Sequence, residues 1–151
     1  MIGLKNKLDA VIIGGGLGSR LKKVQSEPKL LTKFGKNYNL DLIINNLKKI
    51  NINNIHVLCG KDKAIIKKYI KKKNINLYEE KKLLGTAGCL TKLNKKNLAE
   101  NLLIIFGDLL FQIDLKKYFN FHLKKKSDLT ILSHPSDHLF DSDIIDLEED
   151  N

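Results

Sequence analysis

The sequence predicts an α/β fold built around a mainly parallel sheet. Two observations carry this prediction. Short apolar runs alternate along the chain with segments in which apolar residues recur at helical spacing. The first apolar run, at residues 8–13, also leads directly into a glycine-rich segment. Alternating strands and helices are typical of layered folds in which crossover helices cover a parallel sheet.

Each predicted element follows from its local pattern. Apolar runs predict strands at residues 8–13, 54–59, 75–78, 102–106 and 129–133, with a sixth at 144–147. Helical spacing predicts helices at residues 38–50, 62–70, 85–93 and 114–125. In the first of these, Leu40, Ile43, Ile44 and Leu47 recur at that spacing. The face of the 62–70 helix that is expected to be buried carries Ala64, Ile65, Tyr69 and Ile70. The 114–125 helix is expected to begin at Asp114, whose carboxylate can cap it.

The most informative stretch is the glycine-rich segment after the first strand. It runs Gly14, Gly15, Gly16, Leu17, Gly18, Ser19, Arg20 and Leu21, and Pro28 and Lys29 follow it. Glycines let backbone N–H groups converge on a phosphate, and Arg20 and Lys29 supply positive charge for a polyphosphate. Neither the Gly-Lys-Ser/Thr end of a Walker A loop nor the G-x-G-x-x-G spacing of a Rossmann loop is present. A plain surface turn is the weaker alternative.

Two later segments also come directly after predicted strands. One contains Glu80 and, a few residues on, Gly85 and Thr86; the other is the apolar run 102–106, which ends in Gly107 and Asp108. Taken singly, Gly85 and Thr86 could be an ordinary helix start, and Asp108 a turn residue. In parallel sheets, however, ligands bind beyond the carboxyl ends of the strands. The three segments therefore predict one shared crevice.

In this order, the three segments resemble the signature of the sugar-1-phosphate nucleotidylyltransferases. The resemblance rests on Gly15–Leu21 with Pro28 and Lys29, on the Leu-Gly-Thr-Ala-Gly segment at 84–88, and on Gly107-Asp108 at a strand end. It implies a three-layer Rossmann-like sandwich of the nucleotide-diphospho-sugar transferase type. It also implies an enzyme in which the phosphate of a sugar 1-phosphate attacks the α-phosphorus of a nucleoside triphosphate and pyrophosphate leaves.

The resemblance further implies roles for single residues. The backbone of Gly14, Gly15, Gly16, Gly18 and Ser19 would bind the triphosphate, with Gly85 and Thr86 near the base. Arg20 would stabilise the leaving pyrophosphate, Lys29 would bridge the attacking phosphate and the α-phosphate, and Asp108 would hold Mg²⁺. Mg²⁺ prefers a carboxylate combined with phosphate oxygens.

The residue at position 80 indicates the base. Uridylyl and thymidylyl relatives often carry Gln there, whose amide both donates and accepts, whereas Glu80 only accepts. Guanine presents two adjacent donors that a carboxylate can accept, so GTP is the expected substrate. The alternative is that Glu80 is a solvated surface carboxylate. Residues 133–143 resemble a stretch in the guanylyltransferase branch near the heptose and mannose 1-phosphate enzymes, which implies a role in nucleotide-sugar supply for lipopolysaccharide or other cell-surface polysaccharides.

Family members are usually longer than this chain. We therefore expect residues 1–151 to be the N-terminal part, the nucleotide-binding half, of a nucleotidyltransferase domain, ending at an exposed sheet edge. The family's second metal-binding carboxylate would lie outside it. Two alternatives stay open, namely a non-catalytic nucleotide-binding domain of the same family and a uridylyl- or thymidylyl-type transferase.

Composition restricts partners and location. The formal net charge is +10 and nearly all of the positive charge is lysine; a nucleic-acid surface would be one interpretation, but no aromatic residues interleave with the basic runs as stacking would require. We therefore expect no nucleic-acid partner. No apolar run is long enough to span a membrane, and the two cysteines indicate neither a disulfide framework nor a zinc site. A cytoplasmic location is expected, and a homo-oligomer is compatible with the sequence.

Overall fold

The structure is a computed structural model that describes residues 8–14, 27–71, 73–82, 84–135 and Ile145. Four parallel strands form one sheet: β1 (Leu8–Ile13), β4 (Ile55–Cys59), β5 (Asn76–Glu79) and β6 (Asn101–Phe106), in the order β5–β4–β1–β6. A small antiparallel hairpin, β2 (Lys33–Phe34) and β3 (Asn37–Tyr38), lies apart from it. The helices are α1 (Asn39–Leu47), α2 (Lys63–Ile70), α3 (Gly85–Gly88) and α4 (Leu115–Lys125). The predicted α/β class with a parallel sheet is confirmed.

The sheet is covered on both faces because side chains of successive strand residues point to opposite sides. Ala10 and Ile12 of β1 are fully buried in the larger core, together with residues of α1 and α2. Val11, between them in sequence, is buried in a second core with Cys89 and Leu93, which follow α3. This arrangement is the three-layer sandwich that the resemblance implied.

A buried carboxylate joins the strands at the edge of the sheet where they begin. Asp9, the one charged residue of β1, has no exposed surface. Its oxygens accept hydrogen bonds from the backbone N–H groups of Asn54 and Ala99, both at 2.9 Å, and one of them lies 3.3 Å from Nε2 of His56. Buried carboxylates are tolerated when they are hydrogen-bonded in this way. Asp9 thus ties β1 to the segments that precede β4 and β6.

The helix predictions hold in position but differ in detail. The apolar positions predicted for the first helix, Leu40, Ile43, Ile44 and Leu47, are all buried. In α2 the predicted inner face is confirmed for Tyr69 and Ile70, which lie in or against the core. It was wrong for Ala64 and Ile65, which are exposed, while Ile66 is buried instead. The predicted 85–93 helix is α3 followed by a 3₁₀ turn at Cys89–Lys92. Asp114 caps α4 as expected, since its Oδ1 accepts from the backbone N–H of Lys117 at 2.9 Å.

The predicted fifth strand is not a strand. The structure assigns no strand to residues 128–135, and Leu129, Ile131 and Leu132 are 57–72% exposed. Instead, Thr130 is bound to α4, because its carbonyl accepts from the Tyr118 hydroxyl at 2.6 Å and its hydroxyl lies 2.8 Å from Nδ1 of His122. Strand composition cannot form a strand without a partner backbone. The sixth predicted strand, 144–147, lies outside the described residues except for Ile145.

In the part of the chain that the structure describes, β6 is the last strand of the sheet. One of its faces carries Leu102, Ile104 and Phe106, which are 37–42% exposed. Within these residues β6 is therefore an edge strand, and the face that carries these three side chains is only partly covered. None of the helices in the described ranges has the length and apolar character that crossing a membrane requires.

Candidate active site

The segments singled out in the sequence meet at the carboxyl edge of the sheet. Backbone hydrogen bonds continue past each strand end: Gly14 N–H donates to Leu58 O at 2.8 Å, Glu80 N–H to Cys59 O at 2.8 Å, and Gly107 N–H to Ile13 O at 2.8 Å. Gly14, Glu80 and Gly107 are thereby held in one row across four strands. With neighbouring strands about 4.8 Å apart, the row measures about 14 Å from Glu80 to Gly107. The three segments thus end at the same edge of the sheet, as the sequence predicted; that they form one shared binding crevice stays a prediction.

Two glycines of this row are required by the packing of Leu30. A Cβ on Gly14 would lie 2.2 Å from Leu30 Cδ1, and one on Gly107 would lie 2.4 Å from Leu30 Cδ2 and 3.0 Å from the carbonyl oxygen of Ile13. Leu30 is only 1% exposed. Its side chain therefore fills the space that the two glycines leave, and its chain neighbour Lys29 is brought to the same place.

Lys29 and Asp108 form an ion pair at this edge. Lys29 Nζ donates to Asp108 Oδ2 at 3.2 Å, across 79 residues of sequence. The two side chains are 39% and 54% exposed, and an exposed pair of this kind contributes only about 0–1 kcal/mol. The pair is thus easily separated by a phosphate that binds the lysine and a cation that binds the carboxylate. Lys29 and Asp108 are the predicted residues that the structure brings into direct contact.

Glu80 lies at the far end of the row and is largely buried, at 8% exposure. Its Oε1 accepts a hydrogen bond from the backbone N–H of Leu84, so this carboxylate orders the turn that leads into α3. The alternative of a solvated surface carboxylate is wrong. Because a carboxylate offers about four acceptor positions, the contact with Leu84 leaves acceptor capacity at Glu80.

Gly85 starts α3 with a φ of +78°, a conformation that side chains with a Cβ rarely adopt. The glycine is therefore required by the backbone at the sharp entry to the helix. At Gly14 the backbone N–H already donates to the carbonyl of Leu58, so it is not available to a ligand. The absence of a side chain at Gly14 still lets a ligand approach the backbone closely. The described backbone places Thr86 next to Gly85 in the same helix. Predicted residues Gly15, Gly16, Gly18, Ser19 and Arg20 lie outside the described residues.

The two cysteines lie below this edge as neutral thiols. Burial raises the pKa of the Cys59 thiol to about 11. Burial and then the charge of Glu80 raise the pKa of Cys89. Neither cysteine forms a disulfide, and thiols of this kind are poor nucleophiles because the thiolate is the reactive form. Within the described residues, His, Cys, Asp and Glu form no group of three or more that could hold a metal ion.

Comparison with known proteins shows the family to which this chain belongs. The model of the nucleotidyl transferase family matches residues 9–139, which is most of the chain. The chain belongs to the nucleotidyl transferase family. A D-glycero-α-D-manno-heptose 1-phosphate guanylyltransferase of Aneurinibacillus thermoaerophilus is 36% identical over 133 residues. That match covers 85% of this chain but 58% of the relative, so the chain spans little more than half of the relative's length.

Solved structures of nucleotidyl transferases share the fold. HddC from Yersinia pseudotuberculosis, in a complex with GMP-PN, has a TM-score of 0.66 and 27% identity over 76% of this chain and 54% of its own. A putative glucose-1-phosphate thymidylyltransferase from Bacillus anthracis has a TM-score of 0.67 at 22% identity, covering 79% of this chain and 51% of its own. The second likeness concerns the fold alone. The fold confirmed here is thus that of the nucleotide-diphospho-sugar transferase type.

Sequence reasoning missed two residues that pack at this edge of the sheet, Leu30 and Asn39. Asn39 is 1% exposed, and its Nδ2 donates to the carbonyl of Gly107 at 2.7 Å across 68 residues. The sequence carries only a weak signal for these two residues. Leu30 directly follows the Pro-Lys pair, and Asn39 precedes an apolar helical stretch, where it suggests an exposed helix start. Only the packing of α1 against the end of β6 makes it buried.

Proposed function

We propose that this chain is the nucleotide-binding part of an enzyme that transfers a guanylyl group from GTP to a sugar 1-phosphate. The observation that carries the proposal is the row of Gly14, Glu80 and Gly107 at one sheet edge, with Lys29 paired to Asp108 at its end. The guanylyltransferase relative, 36% identical, supports the same chemistry. Family membership supports nucleotidyl transfer as the reaction class, and the reaction, the base, the sugar and the turnover of this chain are all proposals.

The charges along the row fit an extended nucleotide. Its base would lie near Glu80 and Gly85, and its phosphates near Gly14 and Lys29. Lys29 would place its positive charge between the attacking phosphate and the α-phosphate, where negative charge accumulates in the transition state. Arg20 would neutralise the leaving pyrophosphate, and the backbone of Gly15, Gly16, Gly18 and Ser19 would contact the triphosphate. Such a reaction depends on positioning and charge neutralisation more than on covalent catalysis by the protein.

Members of this family typically depend on a metal ion, and for this chain we propose Mg²⁺. The donor chemistry fits in part: Asp108 offers one exposed carboxylate at the row's end, and Mg²⁺ is commonly bound by one or two carboxylates plus phosphate oxygens and waters. When bound, the ion would neutralise phosphate charge. Asp108 would hold it after giving up its contact with Lys29, which frees the Lys29 ammonium for phosphate.

A panel of nucleotides tests the base and the site together. The unfolding temperature is measured with GTP, UTP, dTTP, CTP or ATP, each with Mg²⁺. A ligand present at 100 times its Kd adds about 2.7 kcal/mol to the free energy of unfolding. We expect GTP to give the largest shift. A larger shift with another nucleotide would exclude GTP as the preferred nucleotide. If the sample melts cooperatively and no nucleotide shifts its unfolding temperature, nucleotide binding by this chain is contradicted.

Variants separate the residues. Glu80→Gln keeps an acceptor for the Leu84 N–H, so it should not disturb the turn. It should weaken GTP binding, whereas the neighbouring Glu79→Gln should leave GTP binding unchanged. Unchanged base preference in Glu80→Gln would remove Glu80 from base recognition. Lys29→Ala and Asp108→Ala should abolish turnover in the complete enzyme, with exposed Lys36→Ala as the control. Retained turnover would remove that residue from the mechanism.

The second candidate function is nucleotide binding without turnover. It rests on the same row of Gly14, Glu80 and Gly107 and does not require a metal site at Asp108. Binding of GTP with no release of pyrophosphate in the presence of sugar phosphates would select it. We propose a cytoplasmic location, where nucleoside triphosphates are available, and residues 1–151 as one nucleotide-binding unit.

A further inference from the structure

The peptide group that joins Gly107 to Asp108 is held by a buried side chain from another element. The carbonyl of Gly107 accepts from Nδ2 of Asn39, the first residue of α1, at 2.7 Å. A peptide group is planar, so a hydrogen bond to the carbonyl of Gly107 also fixes the direction of the backbone N–H of Asp108. We propose that Asn39 is a positioning residue that orients Asp108 toward its cation; this inference rests on the proposed function.

The preceding peptide group is held independently. The N–H of Gly107 donates to Ile13 O at 2.8 Å, so hydrogen bonds to two neighbouring elements fix the peptides on both sides of the Gly107 Cα. Glycine is the residue with the greatest backbone freedom, and it is required here because Leu30 occupies the space of a Cβ. A flexible residue directly before a ligand-binding carboxylate needs an external restraint. Asn39 supplies that restraint on the Asp108 side.

The chemistry of Asn39 is specific to this contact. Only the NH₂ end of an amide can face a carbonyl, so Asn39 must turn its Oδ1 away from Gly107. That oxygen is buried and has no hydrogen-bond partner within the described part of the chain. Burying an unpaired polar atom lowers the stability of a fold. An asparagine with this cost is a poor choice for stability alone, whereas a donor to the Gly107 carbonyl explains its presence.

Asn39→Asp and Asn39→Leu both keep the approximate shape of the side chain and remove the donor. The helix dipole favours a carboxylate at the start of α1, but position 39 is buried, so an aspartate there would lower stability or take up a proton and donate again. Asn39→Leu is therefore the decisive variant, because it removes the donor without adding a charge. The control is Asn45→Asp, which makes the same chemical change at an exposed position of the same helix. All proteins are first shown to melt cooperatively.

The first readout is Mn²⁺ binding, followed by electron paramagnetic resonance with GTP bound, alongside GTP affinity without metal. Loss of a residue that orients a metal ligand typically weakens metal binding about 10–100-fold. We expect at least a tenfold weaker Mn²⁺ affinity in both Asn39 variants, with metal-free GTP affinity within twofold of the unchanged chain. Equal Mn²⁺ affinity in folded Asn39 variants and in the unchanged chain would overturn the inference.

The second readout is independent of metal. The backbone amide signals of Gly107 and Asp108, measured by NMR, should shift in both Asn39 variants, and the Asp108 amide should exchange faster with solvent, while Asn45→Asp leaves them unchanged. Unmoved signals would overturn the positioning role. Failure of the unchanged chain to bind Mn²⁺ would instead contradict Asp108 as a metal ligand, and the NMR result would then decide alone whether Asn39 orients it.

Discussion

Replacing Gly107 with alanine tests whether contact with Leu30, rather than backbone conformation, requires a glycine before Asp108. The new methyl group would lie 2.4 Å from Leu30 Cδ2, whereas carbon atoms pack best at about 3.5–4.0 Å. The leucine would therefore have to move by about 1 Å or more, yet it is 1% exposed. The Ile13 carbonyl oxygen, 3.0 Å away, limits movement on the other side.

Overpacking of this kind typically lowers the free energy of unfolding by about 1–3 kcal/mol. In a domain of this size each kcal/mol corresponds to about 2–4 °C in Tm. The assay is urea and thermal unfolding followed by circular dichroism. Gly60→Ala is the matched control, since a Cβ there would meet nothing within 4 Å. With no clash, that control should be neutral or more stable by up to about 1 kcal/mol, because alanine restricts the unfolded chain.

A double variant gives the decisive comparison. Leu30→Ala alone should cost about 2–5 kcal/mol, because it leaves a cavity. In Gly107→Ala/Leu30→Ala the added methyl group enters space that the leucine vacated, so the combined loss should be smaller than the sum. Residues in contact show coupling of about 0.5–3 kcal/mol. Additive losses, or a Gly60→Ala variant as unstable as Gly107→Ala, would refute the reasoning.

Two further predictions concern titratable groups. Burial acts to raise the pKa of Asp41, but hydrogen bonds from Lys73 and Tyr69 hold it below its ordinary value; the resulting stability is present above the unfolded aspartate pKa of about 3.9 and is lost as the pH falls below it. Tyr69→Phe should therefore make the decline in Tm below about pH 4 shallower, and an unchanged decline would contradict the contact. Cys59, with a pKa of about 11, and buried Cys89 should react with Ellman's reagent at pH 8 only at the rate of unfolding; rapid reaction of the folded chain would show that they are exposed.

The local patterns of this sequence sufficed for the fold class and for bringing the candidate segments to one edge of the sheet. Runs such as 8–13 have strand composition and are buried on both sides, and Leu40, Ile43, Ile44 and Leu47 mark one face of α1. Because carboxyl ends of parallel strands share one edge, the position of Glu80 and Asp108 after their strands predicted a common crevice. These features depend on residues near one another in the chain, which is why they can be read from it.

Local pattern failed where the outcome depends on a distant partner. Residues 129–133 have strand composition, but Thr130 is bound by Tyr118 and His122 of α4 and no strand forms there. In α2, Ile65 was wrongly assigned to the buried face because adjacent Ile65 and Ile66 have the same hydrophobicity and only packing chooses between them.

The sequence by itself determined the fold class, the family signature and most of the candidate residues. The tertiary structure alone decided that Leu30 fills the space beside Gly14 and Gly107, that Lys29 pairs with Asp108, and that Asn39 is buried against Gly107. The physical reason is separation along the chain. The Lys29–Asp108 and Asn39–Gly107 contacts join residues 79 and 68 positions apart, and a contact across that separation exists only once the sheet has brought the ends of β1 and β6 together.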